Sequence, residues 1–312
     1  IEQLKKLFRE KTLNKNCFAC LISGQKKSGK SKLIEQFISE ITNDLTISSQ
    51  LSGFDVTKNV IEFQCNLKQQ QEPYGAFIAV TNQILQTQKF RLILSKLFRI
   101  VFVIFGINDA ISILTDLAET IKPEKGNDHS TLEKKRFNRY KKFLKNLSRK
   151  SPIIFILKDV QYLDTYSLKL VESIMYNPHG FRGAFLFELN EDQGESVEAK
   201  ASVYNLIKNG LVERLHLIPL ERNFPSRMLA PEFGENFFSP EENDLLYTIS
   251  NGFPGNLVEL IQSYIKAGLI SRTNDSWVKA PDFKEKIQPL GQQLIELLIL
   301  FSVDKNFSDA EM

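Results

Sequence analysis

The chain of 312 residues has few cysteines, few histidines and almost no net charge, and each shortage removes a class of protein. Three cysteines cannot build a disulfide scaffold and suit a reducing compartment, so the expected location is cytoplasmic. Cys17 and Cys20 form a CxxC, but three positions apart on a strand their side chains point to opposite faces, which argues against zinc or redox chemistry. The three histidines (His129, His179 and His216) are scattered, and neither a metal cluster nor a nucleophile–base pair can be drawn from them. With 40 Lys+Arg against 37 Asp+Glu, the net charge of +3 gives no global pull toward nucleic acid or anionic membrane.

Long apolar runs are also missing. The longest, residues 100–107, falls far short of the roughly 20 residues that span a bilayer. Arg91, Lys96 and Arg99 interrupt its upstream flank, so it reads as a buried helix and no membrane span is expected. No signal peptide opens the sequence, and no internal repeat or low-complexity segment appears. It begins at Ile1, and residues 306–312 read as the start of a further helix, so a segment of a longer protein is expected. What is present is a globular composition: 42% hydrophobic residues, 25% charged and 24 Phe exclude disorder and coiled coil.

Runs rich in β-branched and aromatic residues at 17–23, 60–65, 153–157, 184–189 and 214–218 predict five strands between helical stretches. Such alternation predicts an α/β fold with a parallel sheet covered on both faces. Residues 76–147 read as mostly helical, broken by a turn at 122–128. Ser239, Pro240 and Glu242 spell a capping box, predicting a helix to about Ser250 that stops at Gly252. A second helix is predicted from about Asn256 to Gly268, then a small hairpin through Trp277, then a helix over 290–302.

Gly24, Gln25, Lys26, Lys27, Ser28, Gly29, Lys30 and Ser31 fit the P-loop pattern GxxxxGK(S/T), with a predicted strand before and an amphipathic helix after. Gly24 and Gly29 permit backbone angles that turn several N–H groups inward around phosphates. The helix opening at Lys30 presents its positive end. Lys30 is expected at the β- and γ-phosphates and Ser31 on Mg²⁺. A nucleotide is therefore the expected ligand.

P-loop ATPases need a second strand ending in acid to hold Mg²⁺ and polarise water. The candidate strand, from Ser151, ends in Lys158, Asp159, Val160, Gln161, Tyr162, Leu163 and Asp164. This stretch resembles the LDDLQWADxxSLxLL signature of STAND-class signalling ATPases, the AAA-like modules of multidomain regulators such as soluble adenylyl cyclases and kinase-linked sensors. Other motifs follow in order: Pro73 to Phe77 resembles PYSAF, His216 to Leu220 an LxLxPL strand, and Ser250 to Leu260 the TxGNPFFxxEL element of a helical lid. The resemblance implies a P-loop sandwich over 1–220, a lid over 221–279 and the start of a winged-helix-like region over 280–312. It also implies ATP as the nucleotide, a regulatory role in signal transduction, partner domains in a longer chain and a homo-oligomer. Pro254 would lie near the adenine, although ending one helix and starting the next would by itself explain Gly252 and Pro254.

Two departures bear on hydrolysis. Lys158 stands at the first acid position, where an ammonium would repel Mg²⁺ or contact phosphate, leaving Asp159 as catalytic and metal-binding acid. A one-residue shift in register would make Asp159 the metal acid itself. Asn190 stands where the family's Arg senses the γ-phosphate. The resemblance therefore implies binding with weak or absent hydrolysis. The alternatives are an active ATPase coupled to assembly, or an initiator- or transcription-type ATPase that binds DNA. The last would use the basic helix at 134–150, whose nine Lys and Arg otherwise read as a solvated face.

Overall fold

A computed structural model of the protein describes residues 1–12, 16–44, 59–71, 73–78, 129–149, 151–192, 197–274, 276–287 and 289. The expected helices at 100–107 and 290–302 and the turn at 122–128 lie outside the described residues. Contacts divide the chain into two compact units, one of Ile1–Gly24 with Lys30–His216, the other of Gln25–Gly29 with the residues from Leu217 onward.

The first unit runs α1 (Glu2–Leu7), β1 (Cys17–Gly24), α2 (Lys30–Asn43), β2 (Val60–Gln64), α3 (Leu67–Gln70), α4 (His129–Leu147), β3 (Ile153–Lys158), α5 (Thr165–Tyr176), β4 (Gly183–Asn190), α6 (Val197–Lys208) and β5 (Glu213–His216). Its five strands pair in parallel in the order β2-β3-β4-β1-β5. Every residue of β1 and β4 is buried, which is why both read as continuous apolar runs rather than alternating ones. One sheet face, with Leu21, Phe155 and Phe187, packs against Tyr140, Phe143 and Leu144 of α4, Val171 of α5 and Leu206 of α6. On the other side Phe8 meets Phe18 and Phe37 edge-on at 6.4 and 5.9 Å, tying the sheet to α2. This is a three-layer α/β sandwich. The fifth strand ends at His216, short of the expected Ile218, because pairing with β1 stops at Ser23, and Ile218 is exposed.

Asp164 joins two of the sequence motifs. It caps α5, accepting from the Ser167 backbone N–H at 2.8 Å and the Ser167 hydroxyl at 2.5 Å. The same carboxylate accepts the backbone N–H groups of Tyr74 at 2.9 Å and Ala76 at 3.3 Å. The Pro73–Phe77 segment is thus pinned to the end of the acidic-strand motif, and the Tyr74 ring stacks on Tyr140 at 5.3 Å.

The second unit contains α7 (Phe224–Phe233), α8 (Pro240–Ser250), α9 (Pro254–Lys266) and the antiparallel hairpin β6 (Ile270–Thr273) and β7 (Ser276–Lys279). The capping box forms as expected, with Ser239 and Glu242 each bonded to the other's backbone N–H. Helix α9 begins at Pro254, two residues before the expected Asn256, because proline fits the first helical turn, where no intrahelical donor is needed. Leu257, Leu260, Ile261 and Tyr264 build the core of this unit with Leu246 and Phe283. None of the described helices is long and apolar enough to cross a membrane.

Two outcomes follow from this packing. Replacing Asp164 with Ala strands three backbone donors and should cost about 3 kcal/mol in urea unfolding. The cysteines, all buried, should resist iodoacetamide in the folded protein and react only on denaturation. Burial pushes the Cys17 and Cys20 thiols up to about 12 and raises Cys65 further, so little thiolate exists at neutral pH.

Candidate nucleotide site

The loop after β1 turns through three positive-φ residues, Gly24 (155°), Lys27 (67°) and Gly29 (96°), with the Ser28 N–H closing on the Gln25 carbonyl at 3.2 Å. Alternation of this kind gathers backbone N–H groups into an anion-binding concavity. Gln25 and Lys26 are exposed and Ser28 is buried. Lys30, only 3% exposed, donates to the Gly24 carbonyl at 3.0 Å. Burial lowers its pKa below the ordinary lysine value, and the charge of Glu188 is the largest influence in the other direction.

Parallel register sets the ends of four strands side by side here. Gly24 pairs with Asn190, and Lys158 with Gln64. Asp159 follows β3 in a left-handed conformation (φ 52°) and is enclosed by amides. Gln64 and Asn190 donate to it from β2 and β4, and Gln161 Nε2 donates at 3.2 Å. The predicted Asp159 and Asn190 are therefore direct partners. Lys158, expected to repel Mg²⁺ or to contact phosphate, forms a 2.5 Å ion pair with Glu62 of β2.

The acid at Ser31 is Glu188, which sequence reasoning missed. The Ser31 hydroxyl lies 2.9 and 3.0 Å from its two carboxylate oxygens and donates to them. Glu188 is 7% exposed, and burial raises its pKa, opposed by the Ser31 hydrogen bond and by Lys30. A signal was there: one Glu inside the apolar run Ala184–Leu189 is costly to bury unless it has a role or a partner. Among the described residues no group of three or more His, Cys, Asp and Glu could hold a metal by itself. The oxygen donors Ser31 and Glu188 do suit a hard cation arriving with phosphate oxygens.

Within the second unit, the same loop meets α9. The Gly255 N–H donates to the Lys27 carbonyl at 3.0 Å, and Lys27 Nζ pairs with Glu259 at 2.5 Å. A side chain at Gly29 would come within 3.4 Å of Pro254 Cγ. Gly252 (φ 74°) has no room for one, since a Cβ would lie 2.8 Å from Pro219 Cβ.

The remaining candidates take structural places. Lys141 donates to the Ser173 carbonyl and hydroxyl at 3.2 and 2.6 Å, and Lys145 to the His179 carbonyl at 2.7 Å, so part of the basic face is used inside the fold. Ser23, His216 and Glu191 converge, but the 3.1 and 3.2 Å contacts both use His216 Nδ1. A relay needs the two different ring nitrogens, so this is not a nucleophile–base–acid chain.

Comparison by sequence matches neither a family model nor a curated protein. Comparison of folds finds the Aeropyrum pernix ORC2 protein in its ADPNP–ADP complexes, with a TM-score of 0.53 at 12% identity. This is a P-loop NTPase fold. The match covers 94% of this chain and 66% of that protein, so the chain spans just under two thirds of its length. The ADP form of the same protein aligns over 92% of this chain and 67% of its own at 12% identity, with a TM-score of 0.45. Drosophila ORC bound to GC-rich DNA and Cdc6 aligns over 95% and 92% at 10% identity and 0.33.

One substitution tests how closely the P-loop and α9 backbones approach. In an exposed helix, Gly→Ala gains about 1 kcal/mol. At Gly255 the added Cβ would lie 2.6 Å from Lys27 Cβ and 3.0 Å from its carbonyl. Gly255→Ala should therefore destabilise by about 1–3 kcal/mol, read as a lowered melting temperature.

Proposed function

We propose that this chain is an ATP-binding regulatory module of a larger, cytoplasmic signal-transduction protein, a nucleotide-dependent switch with weak or absent hydrolysis. The observation that carries the proposal is the strained loop from Gly24 to Lys30, with a buried ammonium at its end. A phosphate would supply the anion that the buried Lys30 favours, and the positive-φ loop would supply backbone donors. The STAND resemblance is supported by Asp164, which physically joins two of the motifs that define it.

In this reading Lys30 holds the phosphates, Ser31 the Mg²⁺ that the nucleotide brings, and Asp159 is an acid anchored by three amides. Mg²⁺ would neutralise phosphate charge. Weak turnover is supported by Lys158, a cation engaged with Glu62 where the family has its metal acid. Nucleotide state would pass from the loop through Lys27 into α9, by the Gly255 and Glu259 contacts, to partner domains or a second copy. The P-loop domain over 1–220 and the lid over 221–279, with Pro254 toward the base, complete the proposal. The likeness to the ORC2 protein solved with ADPNP and ADP is compatible with nucleotide binding.

Calorimetric titration with ATP tests it. The wild-type chain should bind one equivalent, and Lys30→Ala should weaken binding about 10–100-fold, the worth of a charge-assisted phosphate contact. Turnover should be slow. Rapid Mg²⁺-dependent hydrolysis that vanishes in Asp159→Ala would sink the switch and favour a working ATPase.

A further inference from the structure

We infer that the carboxylate that meets the nucleotide's metal ion is Glu188 on β4, not the acid at the end of β3. The inference rests on the nucleotide-binding reading and assigns one of its residues. Three observations carry it. First, Ser31 is the loop hydroxyl expected on the metal, and its partner in the structure is Glu188, at 2.9 and 3.0 Å to the two oxygens. Second, Asp159 has both carboxylate oxygens taken by side-chain amides, one by Gln64 and the other by Gln161 and Asn190. Those donors fix it as an acceptor within the protein and leave little of it for an incoming cation. Third, the position before Asp159 holds Lys158, paired with Glu62 on the neighbouring strand at 2.5 Å. The β3 end thus presents a cation and an acid already bonded by three amides, while β4 presents a buried carboxylate directly on the loop serine.

The charge balance is also coherent. A buried Glu188 beside phosphate is repulsive unless a cation lies between them. Lys30 offsets part of that charge, and its ammonium is itself buried. With the metal present, the same carboxylate becomes an attractive oxygen donor of the kind hard divalent cations take. Glu188 therefore makes tight nucleotide binding depend on the divalent ion.

The signature is a change of sign between two conditions, measured by ATP calorimetry on the full chain with Mg²⁺ and with EDTA. Glu188→Gln keeps the size of the side chain and a hydrogen-bond acceptor for Ser31. It should bind ATP at least as tightly as wild type in EDTA, and should lose about tenfold or more of the affinity gained on adding Mg²⁺. Glu188→Asp, which keeps the charge, should retain part of that gain, and Asp159→Asn should retain most of it. Electron paramagnetic resonance of Mn²⁺ with ATP gives an independent readout, in which protein-bound Mn²⁺ should fall in Glu188→Gln and persist in Asp159→Asn. An undiminished Mg²⁺ gain in Glu188→Gln overturns the assignment, as does an equal loss in Asp159→Asn. Parallel weakening of Glu188→Gln in both conditions would mean only a structural hydrogen bond to Ser31, and also overturns it. Wild-type binding that is indifferent to Mg²⁺ rejects the assignment while leaving the nucleotide reading intact. Wild-type protein that binds no ATP in either condition rejects both.

Discussion

Parallel pairing of β1 with β4, in the register that sets Gly24 opposite Asn190, is the constraint from which the rest of the site follows. Both strands are buried along their whole length, so the sheet cannot slip without exposing apolar side chains or unpairing backbone groups. Their carboxyl ends must therefore emerge together. That alignment carries the loop glycine, Glu188 and Asn190 to one edge, and pairing of β3 with β2 brings Lys158 and Gln64 to the same level. Parallel sheets place binding crevices at this edge for the same reason.

The polar groups at that edge are arranged as closed local sets. Asp159 is satisfied by amides from β2, β4 and the turn after β3, Lys158 by a glutamate, and Ser31 by Glu188. A buried acid or base left unpaired costs more than a hydrogen bond normally returns, so each charge in this region needs an assigned partner. Asp164 follows the same logic away from the loop. One carboxylate caps a helix and orders the Tyr74–Ala76 backbone, which explains how two motifs about 90 residues apart come to work as one feature. In the second unit the same economy is seen in Lys279, which pairs with the buried Glu242 at 2.7 Å and lies over the Phe237 and Phe283 rings.

Much of the fold was legible because its signals are local. Five β-rich runs became five strands, and Ser239 with Glu242 formed the box that their spacing promised. Boundaries moved where a local pattern was overruled by pairing: Leu217 and Ile218 extend an apolar run, but β5 pairs with β1 only as far as His216 opposite Ser23. On α4, whose basic residues were the visible signal, Tyr140, Phe143 and Leu144 lie in the core with Phe137 and Leu147 packed against it.

The sequence alone determined the phosphate loop, the alternation of strands and helices, and the motif order behind the proposed reading, because each is written in residues a few positions apart. Only the tertiary structure decided which charges meet. Ser31 and Glu188 are 157 positions apart, Lys158 and Glu62 almost 100, and nothing in either local pattern names its partner. Strand pairing gives Lys158 a carboxylate partner in Glu62, and the sheet register carries Glu188 out of an apolar run to the loop serine. Which strand supplies the acid follows from how the strands line up, and that is a property of the packed sheet rather than of any one segment of the chain.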